Sequence, residues 1–154
     1  MDVEFINPVL VSTAKVLSTM AHMTVTFNKP FLKTDRSAKG HVTGIISISG
    51  SQTKGSLAIT FTESAILHIY QQMHGEIAKE VNDDVVDCVG EITKMITSGA
   101  KAILSEKGYT FELSLPSMVT GKNHAIAHKT NGTIICVPFD TIAGSIFIEV
   151  CFED

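Results

Sequence analysis

A helix about six turns long sets the terms for this chain. Val85, Cys88 and Val89, Ile92, Met95 and Ile96, Ala100, then Ile103 and Leu104 recur at steps of three and four. That spacing places them on one face, and the pattern stops at Gly108. The opposite stripe is Asp87, Glu91, Lys94, Ser98 and Lys101. Such a helix must bury its apolar face against another layer and leaves the polar stripe outward. Asp83 and Asp84 charge its start, which the helix dipole favours. Gly90 and Gly99 lie inside it. Each costs about 1 kcal/mol relative to alanine, so each marks close packing or a surface that a partner approaches.

The rest of the chain supplies the other layer. Ile6, Leu10, Ala14, Leu17 and Ala21 predict a first helix with Lys15 on its far side, and Asn7-Pro8 reads as a cap with proline in the first turn. Thr24 to Phe31 reads as a strand and 32–40 as a polar loop. His41–Ser49 and Ser56–Thr62 form a hairpin about the Gly50–Gly55 link. Thr62 reads as the cap of a second helix, Glu63 to about Met73, which Gly75 ends. After the long helix come strands at Tyr109–Leu115, Ser117–Val119, His124–His128, Thr133–Phe139 and Ser145–Phe152. Gly121-Lys122-Asn123 and Asn131-Gly132 read as turns.

Composition removes several classes. With 154 residues the chain fits one domain over 1–154. Hydrophobic residues make up 44% and charged residues 18%, which excludes a disordered chain. The net charge of −4 and the absence of any Lys/Arg cluster argue against nucleic acid as a partner. No apolar run approaches the ~18 residues of a membrane span. The opening MDVEFINPVL has no basic start, so it does not read as a secretory signal. Cys88, Cys136 and Cys151 are an odd count in apolar surroundings, as expected of reduced core residues in a cytoplasmic protein.

The sequence also partly repeats itself. TAKVLSTMA (Thr13–Ala21) resembles ITKMITSGA (Ile92–Ala100) at an offset of 79 residues. GIISI (Gly44–Ile48) resembles TIICV (Thr133–Val137), and GSLAITF (Gly55–Phe61) resembles GSIFIEV (Gly144–Val150), both at an offset of 89. Three matches in one order point to a duplicated helix-plus-hairpin unit, with convergent amphipathic patterning as the alternative. Two units paired edge to edge give an α+β fold: long helices packed on a single antiparallel sheet, with a pseudo-twofold internal repeat.

The run from Val85 to Gly121 resembles the CheC/CheX/FliY family of chemotaxis phosphatases, and is most similar to the CheX branch. The residues that carry the likeness are Gly90-Glu91, Met95, Gly99, Gly108, Pro116, Val119 and Gly121. GIISISG…GSLAITFTESAILHIYQQMHGE resembles the family's central hairpin and second helix, so the likeness spans nearly the whole chain. The resemblance implies a cytoplasmic homodimer joined through its sheets. It implies dephosphorylation of the CheY-type response regulator of bacterial chemotaxis, a two-component signalling partner. It implies no cofactor or metal of the chain's own, the Mg²⁺ being held by the receiver. Its motif is Glu-x-x-Asn on the long helix: the Glu pairs with a receiver lysine and the Asn orients the attacking water. Carried over, Glu91 and Lys94 take the catalytic positions, with Asp87, Gly90, Ser98 and Lys101 around them against the receiver.

The departure is Lys94, which stands where the motif has Asn. An amide accepts from water and donates to a phosphoryl oxygen at once, whereas an ammonium has three donors and no acceptor. Loss of an orienting group predicts hydrolysis slower by ~100-fold. The positive charge acts the other way, stabilising phosphoryl charge as an arginine finger does. The third outcome is a module that holds the receiver without cleaving it. Without the resemblance, Glu91 and Lys94 are an ordinary solvated pair. Of the nearby hydroxyls, Thr93 points about 100° away from Lys94 on a helix. Thr97 and Ser98 are the other candidates, and Ser98 is on the right stripe but short.

Other groupings carry less. On a strand, His124 and His128 lie roughly 13 Å apart on one face, too far to share a metal. His68 and His74 do not face one site. Cys88 falls on the apolar stripe without a basic neighbour, so it reads as core. Thr120-Gly121-Lys122 lacks the rest of a phosphate-binding loop.

Overall fold

The computed structural model describes residues 2–51, 54–122, 124–128 and 132–153. Gln52 and Thr53 of the first hairpin link, and Asn123 and Asn131 of the two expected turns, lie outside them. The elements run α1 (Asp2–Ala21), β1 (Thr26–Phe27), β2 (Phe31–Lys33), β3 (Val42–Ser49), β4 (Lys54–Phe61), α2 (Glu63–His74), α3 (Asp83–Glu106), β5 (Glu112–Leu113), β6 (Ser117–Thr120), β7 (Ile134–Thr141) and β8 (Gly144–Phe152). The eight strands form one sheet in the order β1-β7-β8-β4-β3-β5, with β2 also on β7 and β6 also on β3. Every pairing between strands is antiparallel.

The seam of the pseudo-twofold is the β4–β8 pair. Ile59 faces Ile148 across it, and these two residues are related by the repeat offset of 89 read from the sequence. The repeat is larger than a helix and a hairpin. Each half runs helix, two-piece edge strand, hairpin. The edge pieces of each half pair with the hairpin of the other: β1 and β2 with β7, β5 and β6 with β3. One sequence match is out of register. Gly44 pairs with Ile59 and Val137 with Ile148, so the counterpart of Gly44 is Val137 rather than Thr133. The cause is the shorter second hairpin. Six residues separate the paired Ile48 and Gly55, but only two separate Thr141 and Gly144.

All three helices cover one face. Leu57, Ile59, Phe61, Val137, Ile146, Ile148 and Val150 point into a core completed by Phe5, Val9 and Leu17 of α1, Ile66 and Ile69 of α2, and Val85, Val89, Ile92 and Ile96 of α3. The other face carries a smaller cluster of Ala38, Ile45, Ala58 and Ile126.

Several expectations are corrected. Pro8 lies inside α1, which begins earlier, at Asp2. Phe5 holds that extra turn, its ring tilted against Phe152 at 4.6 Å and edge-on to Tyr109 at 5.0 Å between ring centroids. Thr62 stands at the N-cap of α2 as expected, but its side chain does not cap, because its hydroxyl donates to the Ser145 carbonyl instead. The strand expected over 24–31 breaks at Asn28–Pro30 and resumes as β2 inside the expected loop. Lys33 in β2 is 6% exposed, which no polar loop residue would be. Tyr109–Leu115 gives strand only at Glu112–Leu113, because Tyr109 and Phe111 turn inward onto Phe5. His124–His128 is not a strand; Ala125 forms an isolated antiparallel bridge with Ser37, with the Ala38 N–H donating to the His124 carbonyl at 2.9 Å and the Ile126 N–H to the Arg36 carbonyl at 2.8 Å. His124 bonds Thr43 at 2.5 Å and the Gly121 carbonyl at 2.7 Å, while His128 bonds Ser56 at 2.6 Å and Glu149 at 3.1 Å. These side-chain bonds add to the short backbone bridge in tying the segment down. β3 and β7 are interior strands, each flanked on both sides.

Candidate functional site

The candidate site is the outward stripe of α3. Asn82 caps the helix, its side chain accepting from the Val85 N–H at 2.9 Å, and Asp83 and Asp84 fill the first turn. From this start the apolar stripe sinks into the core: Val85, Cys88, Val89, Ile92 and Ile96 are fully buried. Asp87, Glu91, Lys94 and Ser98 are therefore forced outward, and all four are exposed. Among the described residues, no side-chain hydrogen bond or ion pair engages Glu91 or Lys94. The ordinary solvated pair between them is not formed. Lys101 is different. It is half-buried and lies 3.8 Å from the exposed Glu112 carboxylate.

Small residues set how deep the helix lies. A Cβ on Gly90 would meet the Met118 sulfur and methyl at 3.3 Å and Pro116 at 3.9 Å. Gly90 therefore lets the segment carrying β6 lie flush beside Glu91. It is buried, so its part is to shape the surface rather than to offer a side chain. On the sheet side, a Cβ on Gly44 would meet the Thr93 hydroxyl at 2.2 Å. That hydroxyl donates to the Val89 carbonyl at 2.7 Å. Thr97 is 3% exposed and donates to Thr93 O at 2.8 Å. Neither threonine can reach an outside water, so Ser98 is the hydroxyl of the three that faces solvent.

Cys88 packs inward, 3.9 Å from the Met73 sulfur. Burial, with a smaller push from the Glu91 charge, drives its thiol up to about 12. It stays protonated at neutral pH and is no nucleophile. All three cysteines are buried, as the sequence implied. No described helix is long and apolar enough to cross a membrane.

Sequence reasoning missed one buried ionic group on the far sheet face. Lys33 Nζ lies 2.6 Å from Glu149 Oε2, with both side chains 2% exposed. Glu149 Oε1 takes His128 Nε2 at 3.1 Å. A signal was present: Glu149 sits in the apolar run SIFIEVCF, and a buried carboxylate requires a partner. The groove between α1 and α3 was also unread, because its lining comes from two helices far apart in sequence.

Comparison with known proteins agrees with this fold. The sequence pattern of the family described as Chemotaxis phosphatase CheX matches residues 42–140. A CheC-like superfamily protein from Shewanella sp. PV-4 is 52% identical, each chain covering 100% of the other, with a TM-score of 0.93. The chemotaxis protein CheX from Vibrio vulnificus is 49% identical over 97% of this chain and 99% of its own, with a TM-score of 0.91. A chain of the CheX–CheY–BeF₃–Mg complex from Borrelia burgdorferi shares the fold at a TM-score of 0.82. It is 24% identical over 97% of this chain and 98% of its own. A search of curated proteins gives no significant match. The matched stretch holds all of α3 and both strands of the first hairpin, and with whole-length identity near one half the chain belongs to the CheX family of chemotaxis phosphatases.

Proposed function

We propose that this chain is a single CheX-like domain that docks on a phosphorylated CheY-type receiver and hydrolyses its aspartyl phosphate. Glu91 pairs with a receiver cation, and Lys94 reaches the phosphoryl group. One observation carries the reading: Glu91 and Lys94 stand three residues apart on the exposed face of α3, and neither is engaged by the chain itself. Residues at i and i+3 enter one pocket together. The complex named for the Borrelia burgdorferi relative pairs a CheX with a CheY, which supports the choice of partner.

The chemistry is simple in outline. A water oxygen attacks phosphorus, the bond to the receiver's aspartate oxygen breaks, and the carboxylate leaves with the electron pair. The chain's part is positioning and charge, which phosphoryl transfer needs most. The Lys94 ammonium donates to a phosphoryl oxygen and stabilises its charge. It cannot accept a water proton, so orientation of the nucleophile falls to groups on the receiver. Turnover is then about 100-fold below that of an asparagine in the same place. The missing acceptor also favours a second reading, a receiver-binding module without turnover. In both readings Mg²⁺ belongs to the receiver and the chain acts in the cytoplasm. The test is decay of the phosphorylated receiver with native chain and with Glu91→Ala. Acceleration that the variant abolishes supports hydrolysis. Tight binding without acceleration supports the second reading, and neither binding nor acceleration removes both.

We also propose a homodimer through the sheet margin made by β1 and β2, which exposes Phe27 (40%) and Leu32 (66%). Sedimentation of native chain and of Leu32→Lys tests it: a dimer that becomes a monomer is expected, and a native monomer would overturn it.

A further inference from the structure

We propose that the groove between α1 and α3 is a second contact for the same receiver, taking an apolar side chain with an acidic one beside it. This rests on the proposed function and adds to it a surface that decides which receiver is chosen.

The groove follows from how the two helices meet. Ser12 donates to the Ile96 carbonyl at 2.7 Å, and a Cβ on Gly99 would come within 2.3 Å of the Ser12 oxygen. The helices touch there and leave beside the contact a groove of about 380 Å³. Val16, Met20 and Met95 are its apolar walls. Methionines adapt their shape to what they receive. Met20 is 38% exposed, more than its own chain needs for packing.

Three features favour the receiver as occupant. First, Ser98 lines the groove and also stands on the Glu91–Lys94 stripe, one turn beyond Lys94, so the two surfaces are continuous. Second, the one charged residue of the lining is Lys15, and no acid lines it. Among the described residues Lys15 makes no ion pair. The groove is therefore a positive spot on a chain of net charge −4. Third, a phosphorylation pocket is ringed by carboxylates, and Lys94 and Lys15 together offer them two cations on one side.

The test is a binding titration of the full chain against a receiver locked with beryllofluoride and Mg²⁺. Lys15→Glu and Met20→Glu change exposed side chains, and thermal melts confirm that each variant folds. Each should weaken binding at least about fivefold, while Lys15→Arg should retain it. In the decay assay the loss should appear in KM rather than in kcat. Native chain that binds, with both variants binding equally well, overturns this inference and leaves the proposed function standing. Native chain that fails to bind overturns both. Variants that change only self-association assign the groove to a second copy, which also overturns it.

Discussion

Replacing Glu149 by alanine should unfold much of this protein's stability margin. The carboxylate answers two buried donors, Lys33 Nζ at 2.6 Å and His128 Nε2 at 3.1 Å. The Lys33 and Glu149 side chains are each 2% exposed, so water cannot substitute. Breaking a buried pair by removing one partner costs about 3–5 kcal/mol. Unfolding entropy near 2.1 cal/mol/K per residue over 154 residues is about 0.3 kcal/mol/K. A loss of ~4 kcal/mol then lowers Tm by roughly 12 °C, against a total stability of about 5–15 kcal/mol. Urea denaturation and thermal melts measure it. The informative control is Lys33→Met with Glu149→Leu, which removes both charges. Apolar replacement of a whole buried pair is often neutral. Only the His128 N–H is then left short, at about 1–3 kcal/mol, so the double variant should recover about half the loss. A cost below ~1 kcal/mol for Glu149→Ala would refute the reasoning. So would a double variant no better than the single, since it would show that lost packing rather than stranded charge sets the cost.

Other expectations follow from the contacts around α3. Gly44→Ala should cost about 1–3 kcal/mol in urea unfolding, because its methyl meets the Thr93 hydroxyl at 2.2 Å and Thr93 is stiff; adding Thr93→Ala should recover most of it, and additive losses would contradict the contact. Cys88 should resist alkylation in the native state at mildly alkaline pH and react once urea unfolds the chain, and fast native alkylation would contradict its burial. Its raised thiol also gives a sign to pH dependence. The unfolded thiol ionises near 9 and the native one only near 12, so its contribution is full below pH 9 and is lost as pH rises toward 12. Cys136, pushed up to about 11 mainly by burial, acts in the same direction. Unfolding free energy should therefore fall above pH 9, less steeply in Cys88→Ala, and equal slopes would contradict it.

What could be read from the sequence depended on how locally each element is determined. α3 was legible almost residue by residue, because a long amphipathic stripe fixes both its buried and its exposed faces. That gave the candidate site, since Glu91, Lys94 and Ser98 could only face outward. The strands of the two hairpins were legible from their apolar runs between turn residues, and the repeat predicted that the two units pair edge to edge; that β4 and β8 form the seam, with Ile59 facing Ile148, came only from the structure. The four-residue slip between Gly44 and Thr133 was hidden, because apolar strands look alike at several registers. The short edge pieces β1, β2 and β5 were blurred, whereas β6 was read at Ser117–Val119, one residue short of its end at Thr120. Each takes its conformation from the other half's hairpin, a contact far away in sequence. The start of α1 was misplaced because Pro8 reads as a first-turn residue, while Phe5 packing decides otherwise. Lys33 and His128 were misread because only tertiary structure brings them to Glu149.

The central claim is that Lys94 stands at the phosphoryl group of a bound receiver. The most direct measurement is decay of the phosphorylated receiver with native chain and with Lys94→Asn, under saturating conditions. An amide restores the water acceptor, so the variant should hydrolyse faster by about 100-fold while Glu91→Ala loses the effect. Equal rates for native chain and Lys94→Asn, with Glu91→Ala also unchanged, would show that this stripe of α3 does not meet the phosphoryl group.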